Sequence, residues 1–418
     1  MVGRQGPSRG AVAGATIRSM SIFSGLTPLP PDPILGLTEE FNRDPRPDRI
    51  TLASGVYVDE TGITPVLATV TEAEGRILDV QTTKLYKPIA GDPAYLMPVR
   101  SLIFGADSAA VADGRVETLH TPGGTGALRV AADLIARIRP GATVWVSTPT
   151  WPNHPTVFAA AGLTTKAYPY LSPATGELDA EGMLEALRGA TAGDVVLLHA
   201  CCHNPTGIDL TADVWVAVGD VIAERGLLPL VDFAYQGFGD GIEEDGAGLR
   251  ELVRPGAELL VASSFSKNFS LYDERVGALS LVGATAADAT VLLSHAKAAV
   301  RANYSNPPAH GGEVVATILS DAELRARWMD EVTEMRGRIN GNRHAFVDGL
   351  AVAGAPDFSR LLRQRGMFSL LGLSADQVKR LKEEFAVYVV GGGRVNVAGF
   401  TKRNLEPACR AIAAVVRG

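Results

Sequence analysis

Between residues 103 and 282 the chain alternates short runs of β-branched and leucine residues with longer stretches whose apolar positions recur every three to four residues. That alternation predicts strands separated by amphipathic helices, the pattern of an α/β domain with a mainly parallel sheet. The runs in TVWVST, VVLLHA, LPLVDF, LLVASS and ALSLVG read as the strands. In ETLHTPGGTGALRVAADLIARI a strand passes through Pro122, Gly123, Gly124 and Thr125 directly into a helix. Upstream, residues 26–37 are proline-rich and predict an extended arm. LTEEFNRD then predicts a short helix, ITLASGVYVDETG strand and turn, and residues 66–78 a helix. Downstream, a helix leads to Arg301 and the turn NYSNPPAHGG. Residues 321–350 predict a long charged amphipathic helix joining a large domain to a smaller C-terminal one. MFSLLGL, YVVGGGRVNVAGF and a closing helix make up the tail.

A length of 418 residues favours two domains over one core. Hydrophobic content of 46% with 20% charged residues is that of an ordinary globular protein. A net charge of −7 gives no reason to expect nucleic acid. No apolar run reaches the roughly 18–20 residues a membrane span needs. Cys201, Cys202 and Cys409 offer no disulfide framework, which fits a reducing, cytoplasmic compartment. The first 31 residues carry Arg4, Arg9 and Arg18 and no acid. They lack the unbroken apolar segment of a secretory signal. A partly disordered extension over 1–30 is expected, or an upstream start with Met20 as the true beginning.

Candidate chemistry gathers where the strands end. Lys267 follows a β-prone run and three serines, and the chain has only 8 lysines among its 39 basic residues. A lysine there is costly unless neutral, paired or covalently used, although a surface lysine in a turn would look similar. Asp232 ends another apolar run, and Tyr235 follows three residues later. Asn204 precedes Pro205-Thr206-Gly207. His199, Cys201, Cys202 and His203 suggest a metal, but adjacent strand residues point to opposite faces, so Cys201 and Cys202 are expected to diverge and no metal site is assigned. Asn204, Asp232 and Lys267 are spaced 28 and 35 residues apart, each interval fitting one helix-and-strand excursion. The three can therefore converge at the C-terminal edge of one sheet. Together with a glycine-rich helix start suited to phosphate, they are what pyridoxal phosphate requires.

These residues lie in motifs (TPGGTGALRVAAD, WPNHPTVF, CCHNPTGID, VDFAYQGF, SSFSKNFSLYDERVG, RANYSNPPAHG and GRVNVAG) that resemble the aspartate and aromatic aminotransferase family, the class I enzymes of fold type I, from about Pro31 to the C-terminus. The resemblance implies a large domain at 65–334 with a mainly parallel seven-stranded sheet, and a smaller α/β domain from 31–64 and 335–418. It implies Lys267 as the lysine joined to pyridoxal 5'-phosphate and the carrier of the substrate proton. Asp232 would meet the pyridine nitrogen, with His154 and His199 behind it. Tyr235 and Asn204 would contact the phenolic oxygen, and Trp151 would stack on the ring. Gly124, Thr125, Ser264, Ser266 and Arg275 would hold the phosphate, with Tyr86 reaching in from a neighbouring subunit of a homodimer. Arg394 would clamp the substrate α-carboxylate, Arg301 would cross the dimer to a distal carboxylate, and Gly55 would line the substrate site.

The resemblance also frames the choice of substrate. Relatives narrow for aspartate tend to carry lysine and asparagine where this chain has Val58 and Leu85. Apolar residues there suit an aromatic ring, because they leave no polar group unpaired. An aromatic-amino-acid aminotransferase using 2-oxoglutarate is the expectation, with aspartate aminotransferase as the alternative. Ser54, at a position usually apolar in the family, leaves a specialised-metabolite transaminase open. A decarboxylase or β-lyase fits less well with both Arg301 and Arg394 present. A ligand-binding regulator on this fold would need an N-terminal DNA-binding domain, for which 31 residues are too few.

Overall fold

The computed structural model describes Gly3, Gly6 and residues 23–418. The expected extension and Met20 otherwise fall outside the described residues, and 23–34 form turns and extended chain. The first strand, β1 (Ile50–Thr51), lies apart from the main sheet. The next seven are β2 (Val116–Pro122), β3 (Thr143–Thr148), β4 (Thr164–Pro169), β5 (Val195–His199), β6 (Leu228–Phe233), β7 (Leu259–Ser264) and β8 (Val276–Val282). They form one sheet in the order β2-β8-β7-β6-β5-β3-β4, in which only β8 runs against its neighbours.

Burial explains why these runs are strands. Every residue of β7 and β8 is buried, so both faces must be apolar and the two-residue alternation of a half-exposed sheet is absent. Val196 and Leu198 of β5 belong to one core, and Val195 and Leu197 to the core on the opposite face. The helix Gly123–Ile138 covers that second face with Ala127, Leu128, Ala131, Leu134 and Ile135. Each fully buried leucine, valine or isoleucine contributes about 1.5–3 kcal/mol relative to exposure.

The helix Ala322–Val352, 31 residues and about 46 Å long, buries Leu324, Trp328, Val332, Met335, Ile339, Phe346 and Leu350 along one stripe. Asp321 caps it by accepting from the Glu323 and Leu324 amides. Beyond it, β9 (Phe368–Leu370) is followed by β10 (Val387–Tyr388) and β11 (Arg394–Asn396). β10 pairs in parallel with β1, and β11 pairs antiparallel with β9, so the two ends of the chain meet.

Two local expectations need correction. The strand expected in ITLASGVYVDETG is confined to Ile50–Thr51, because the chain beyond is held by scattered bonds rather than a ladder. The Leu52 amide reaches Tyr388, the Asn396 amide reaches the Leu52 carbonyl, and the Val58 amide reaches Ala398. The cysteine reading also fails. β5 stops at His199, so Cys201 and Cys202 occupy a bend, Cys202 with φ of 51°. The Asp209 carboxylate accepts from the Cys202 and His203 amides at 2.8 and 2.9 Å and draws the chain out of the ladder. The two sulfurs and an Asp245 oxygen lie within 4.8 Å of one another. That Asp245 carboxylate accepts amides of Gly237, Gly239 and Asp240.

Trp328 connects the long helix to the turn that follows Lys267. Its indole N–H donates to the Asn268 carbonyl at 2.8 Å and its ring stacks on Phe269 at 4.3 Å. Trp328→Ala is expected to cost about 3–5 kcal/mol, read from the shift of the denaturant midpoint; a midpoint unchanged from wild type contradicts this packing account.

Candidate active site

The C-terminal ends of β5, β6 and β7 open onto a cavity of about 210 Å³. The turn after β5 supplies Asn204, β6 supplies Asp232 and then Tyr235, and β7 with its following turn supplies Ser264, Ser266 and Lys267. Gly124 and Thr125 enter from the start of the helix Gly123–Ile138, and Gly55, Trp151, His199 and Arg275 complete the expected wall.

Asp232 is the anionic centre. Its Oδ2 lies 2.9 Å from Nε2 of the fully buried His154, whose Nδ1 lies 2.8 Å from Thr150 Oγ1. Burial by itself would raise the Asp232 carboxyl, but the hydrogen bond from His154, helped by the nearby Lys267 ammonium, outweighs it and holds the group below its ordinary range. Burial pushes His199 down to about 3, so it is neutral near pH 7. The Asn204 amide donates to His199 Nδ1 at 3.3 Å, which places the proton on Nε2. Lys267 is lowered to about 8, chiefly by burial, with Arg275 adding to the fall and Asp232 opposing it.

One corner of the cavity is built for an anion. Arg275 Nη1 donates to Ser266 Oγ at 3.3 Å, and Ser264 Oγ donates to Ser266 Oγ at 3.3 Å. Arg275 makes no carboxylate pair among the described residues. The helix start beside it adds unpaired N–H groups and a positive dipole end. At Gly123, with φ of 69°, any side chain would be strained, and its Cβ would stand 2.7 Å from Arg275 Nη2, forcing the guanidinium to move.

Arg394, at the start of β11, is buried with no carboxylate partner among the described residues. Its Nη1 donates to Asn204 Oδ1 at 3.1 Å and its Nη2 to the Ala53 carbonyl at 2.6 Å. The guanidinium lies 4.2 Å from the Phe368 ring centroid. Burial lowers it to about 10, still well above neutrality. Asn204 Nδ2 stands 3.5 Å from the Tyr235 hydroxyl, so one asparagine connects Arg394 to the phenol.

Of the expected site residues, Arg394 touches the cavity only through Asn204 and does not itself line it, and Tyr86 and Arg301 do not reach it. Tyr86 is 91% exposed, and Arg301 lies on the surface with Nη1 donating to Ser305 Oγ. Leu85 is exposed, and neither it nor Val58 lines the cavity. Ser54 contributes a carbonyl that accepts from Asn396 Nδ2 at 2.7 Å. Tyr272 was not expected. It lines the cavity and accepts from the Tyr57 amide at 2.9 Å. It lies inside the motif around Lys267, but it follows no strand, so the strand-end criterion passes over it.

Between about pH 8 and 10.5 an unfolded lysine holds a proton that folded Lys267 has released. The unfolded chain then binds more protons, so the Lys267 contribution to stability rises with pH across that window. The stability of the ligand-free protein minus that of Lys267→Met is expected to be flat below pH 8 and to climb from there to 10.5; a difference that falls across the window contradicts the lowered lysine.

The family model for aminotransferases of class I and II matches residues 47–412. The aspartate aminotransferase of Escherichia coli K12 is 53% identical over 396 residues, which is 94% of this chain and 100% of that one. The aromatic-amino-acid aminotransferase of Pseudomonas aeruginosa is 50% identical over 397 residues, 95% of this chain and 99% of its own. Among solved structures, the aromatic-amino-acid aminotransferase of Burkholderia pseudomallei covalently bound to pyridoxal phosphate superimposes with a TM-score of 0.92 at 47% identity, over 95% of this chain and 100% of that one.

Proposed function

The chain belongs to the class I and II aminotransferases, and from that premise we propose that it moves the amino group of phenylalanine or tyrosine, and of aspartate, to 2-oxoglutarate. Its substrates are amino acids and oxo acids, and its cofactor is pyridoxal 5'-phosphate. The observation that carries the reading is one small cavity holding a lowered lysine, an ionised aspartate and an arginine with no carboxylate partner among the described residues, with a second such arginine beside it.

The residues fit the cofactor. Arg275, Ser264, Ser266, Gly124 and Thr125 would take its phosphate, and Asp232 would hold a proton on its ring nitrogen. Tyr235 and Asn204 would face its phenolic oxygen, with Trp151 against the ring. When bound, the cofactor supplies a conjugated ring that spreads the electron pair left on the substrate α-carbon. Arg394 binds the α-carboxylate with a planar fork already desolvated and oriented. Lys267, lowered to about 8, is neutral often enough near pH 7 to take the α-proton as a base. Burial holds the Tyr235 phenol protonated as a donor.

A homodimer supports the remaining assignments, with Tyr86 and Arg301 acting in the neighbouring subunit. Ile63, Val66, Leu78, Val80, Leu85, Tyr86 and Met97 are exposed here, more apolar surface than one short segment of a monomer usually shows. We assign 31–64 and 335–418 to a small domain and 65–334 to the large one. The pairing of β1 with β10 supports that division. Among the described residues no helix is long and apolar enough to cross a membrane. The cytoplasmic assignment is supported by three free, buried cysteines.

Aspartate as the main donor is the second reading, favoured by the 53% identity to an enzyme of that name. Single-turnover absorbance of the holoenzyme decides between them. Bleaching of the bound cofactor is expected with both amino acids, phenylalanine at least as efficient as aspartate. Aspartate ahead by two or more orders of magnitude, about 3 kcal/mol, would overturn the aromatic preference. Lys267→Ala is expected to abolish turnover; normal turnover by that variant would remove the lysine from the mechanism.

A further inference from the structure

The two residues assigned above to the neighbouring subunit, Tyr86 and Arg301, are connected within their own chain. Arg301 Nη1 donates to Ser305 Oγ, which in turn donates to Asn306 Oδ1 at 2.9 Å. Asn306 Nδ2 donates to the backbone carbonyl of Lys87 at 2.8 Å, one residue after Tyr86. Ser305 adopts φ of 68°, uncommon for a residue with a side chain, and its hydroxyl is engaged on both sides.

Lys87 is the fixed point of this chain of contacts. Its ammonium lies 2.9 Å from Asp92 Oδ2 and 2.8 Å from Glu313 Oε1. The other Glu313 oxygen accepts from Gln81 Nε2 at 3.0 Å. Gln81 ends the helix Ala68–Val80, Asp92 caps the helix Pro93–Phe104, and Glu313 lies on the helix His310–Ser320. Segment 81–92 is thereby fastened to three helices through one lysine. The Glu313 and Asp92 bonds raise the Lys87 pKa, so the ammonium stays charged at working pH. His120, in the same cavity of about 560 Å³, is pushed down to about 3 by burial and then by Lys87, so it is neutral and does not compete with Lys87 for the carboxylates. The side chain of Lys87 is 23% exposed, whereas adjacent Tyr86 is 91% exposed as a residue. A doubly paired, mostly covered lysine should hold its geometry better than an isolated surface pair.

We propose that Lys87 is a positioning residue for the partner's active site: it holds Tyr86 directly, and Arg301 through Asn306 and Ser305, as one unit. The inference rests on the dimeric reading above. Its consequence is that cofactor-phosphate binding and distal-carboxylate binding in the neighbouring subunit weaken together when Lys87 is lost, while the chemistry at Lys267 does not change.

The test uses the holoenzyme with Lys87→Met, Lys87→Arg, Glu313→Gln and Arg301→Leu. Lys87→Met is expected to raise both the KM for 2-oxoglutarate and the dissociation constant of the cofactor by about tenfold, as small misplacements of binding groups do. The single-turnover rate with saturating phenylalanine should stay near wild type. Lys87→Arg should recover part of both losses. If Lys87→Met fails to assemble, Glu313→Gln, which removes one of the two ion pairs, carries the same measurement. If Arg301→Leu leaves the 2-oxoglutarate KM unchanged, the parent reading of Arg301 is wrong. If Arg301→Leu raises it and the Lys87 and Glu313 variants leave both constants at wild-type values, the positioning role is wrong. A uniform fall in all rates, or dissociation of both Lys87→Met and Glu313→Gln to monomers in sedimentation, would also overturn it.

Discussion

The hydrogen bond between His154 and Asp232 is the contact on which the rest of the site depends. A carboxylate taken out of water is expensive unless cations and donors replace its hydration. Here a fully buried imidazole meets one oxygen at 2.9 Å, and Thr150 fixes the far side of that imidazole. With the carboxylate held ionised, the approach of Lys267 is favourable even though burial has lowered the lysine. The parallel sheet is what makes this affordable. Register pairs His199 with Asp232 on adjacent strands, so partners far apart in the chain arrive at one edge without a long connecting loop.

Against that single anion stand cations with no carboxylate of their own among the described residues. Arg275 lines the cavity and Arg394 reaches its Asn204; the first donates to a hydroxyl and a backbone carbonyl, the second to an amide oxygen and a backbone carbonyl. Such neutral acceptors orient a guanidinium without neutralising it. The imbalance is the electrostatic signature of a site waiting for two anionic groups, a phosphate and a carboxylate. Backbone sterics serve the same end. Gly123 leaves room for the Arg275 guanidinium, and a Cβ at Gly277 would stand 2.5 Å from the Gly123 carbonyl carbon.

Much of this was legible in the sequence because it depends on periodicity. Asn204, Asp232 and Lys267 follow apolar runs at intervals that suit helix-and-strand excursions, and a parallel sheet sends such ends to one edge. Six of the seven sheet strands and the glycine-rich helix start were legible for the same reason, whereas β4, mostly exposed and without an apolar run, was implied only by the family resemblance. The alternation rule misled where the strand had already stopped, at Cys201 and Cys202, because the Cys202 amide donates to the Asp209 carboxylate instead of continuing the β5 ladder. Tyr272 escaped because it marks no strand end. The contact of Arg394 with the Ala53 carbonyl spans 341 residues, and no local pattern announces it. Tyr86 and Arg301 drew their roles from family resemblance alone, since within one chain both lie at the surface.

The central claim is that the cavity's uncompensated positive charge is there to receive a phosphate. Calorimetric titration of the cofactor-free enzyme with pyridoxal phosphate and with pyridoxal tests it most directly. Charge-assisted hydrogen bonds contribute about 1.5–3 kcal/mol each. Several acting on one phosphate should make pyridoxal phosphate bind at least about a hundredfold more tightly than pyridoxal, with inorganic phosphate competing. Equal affinities for the two compounds, or no competition by phosphate, would contradict the account.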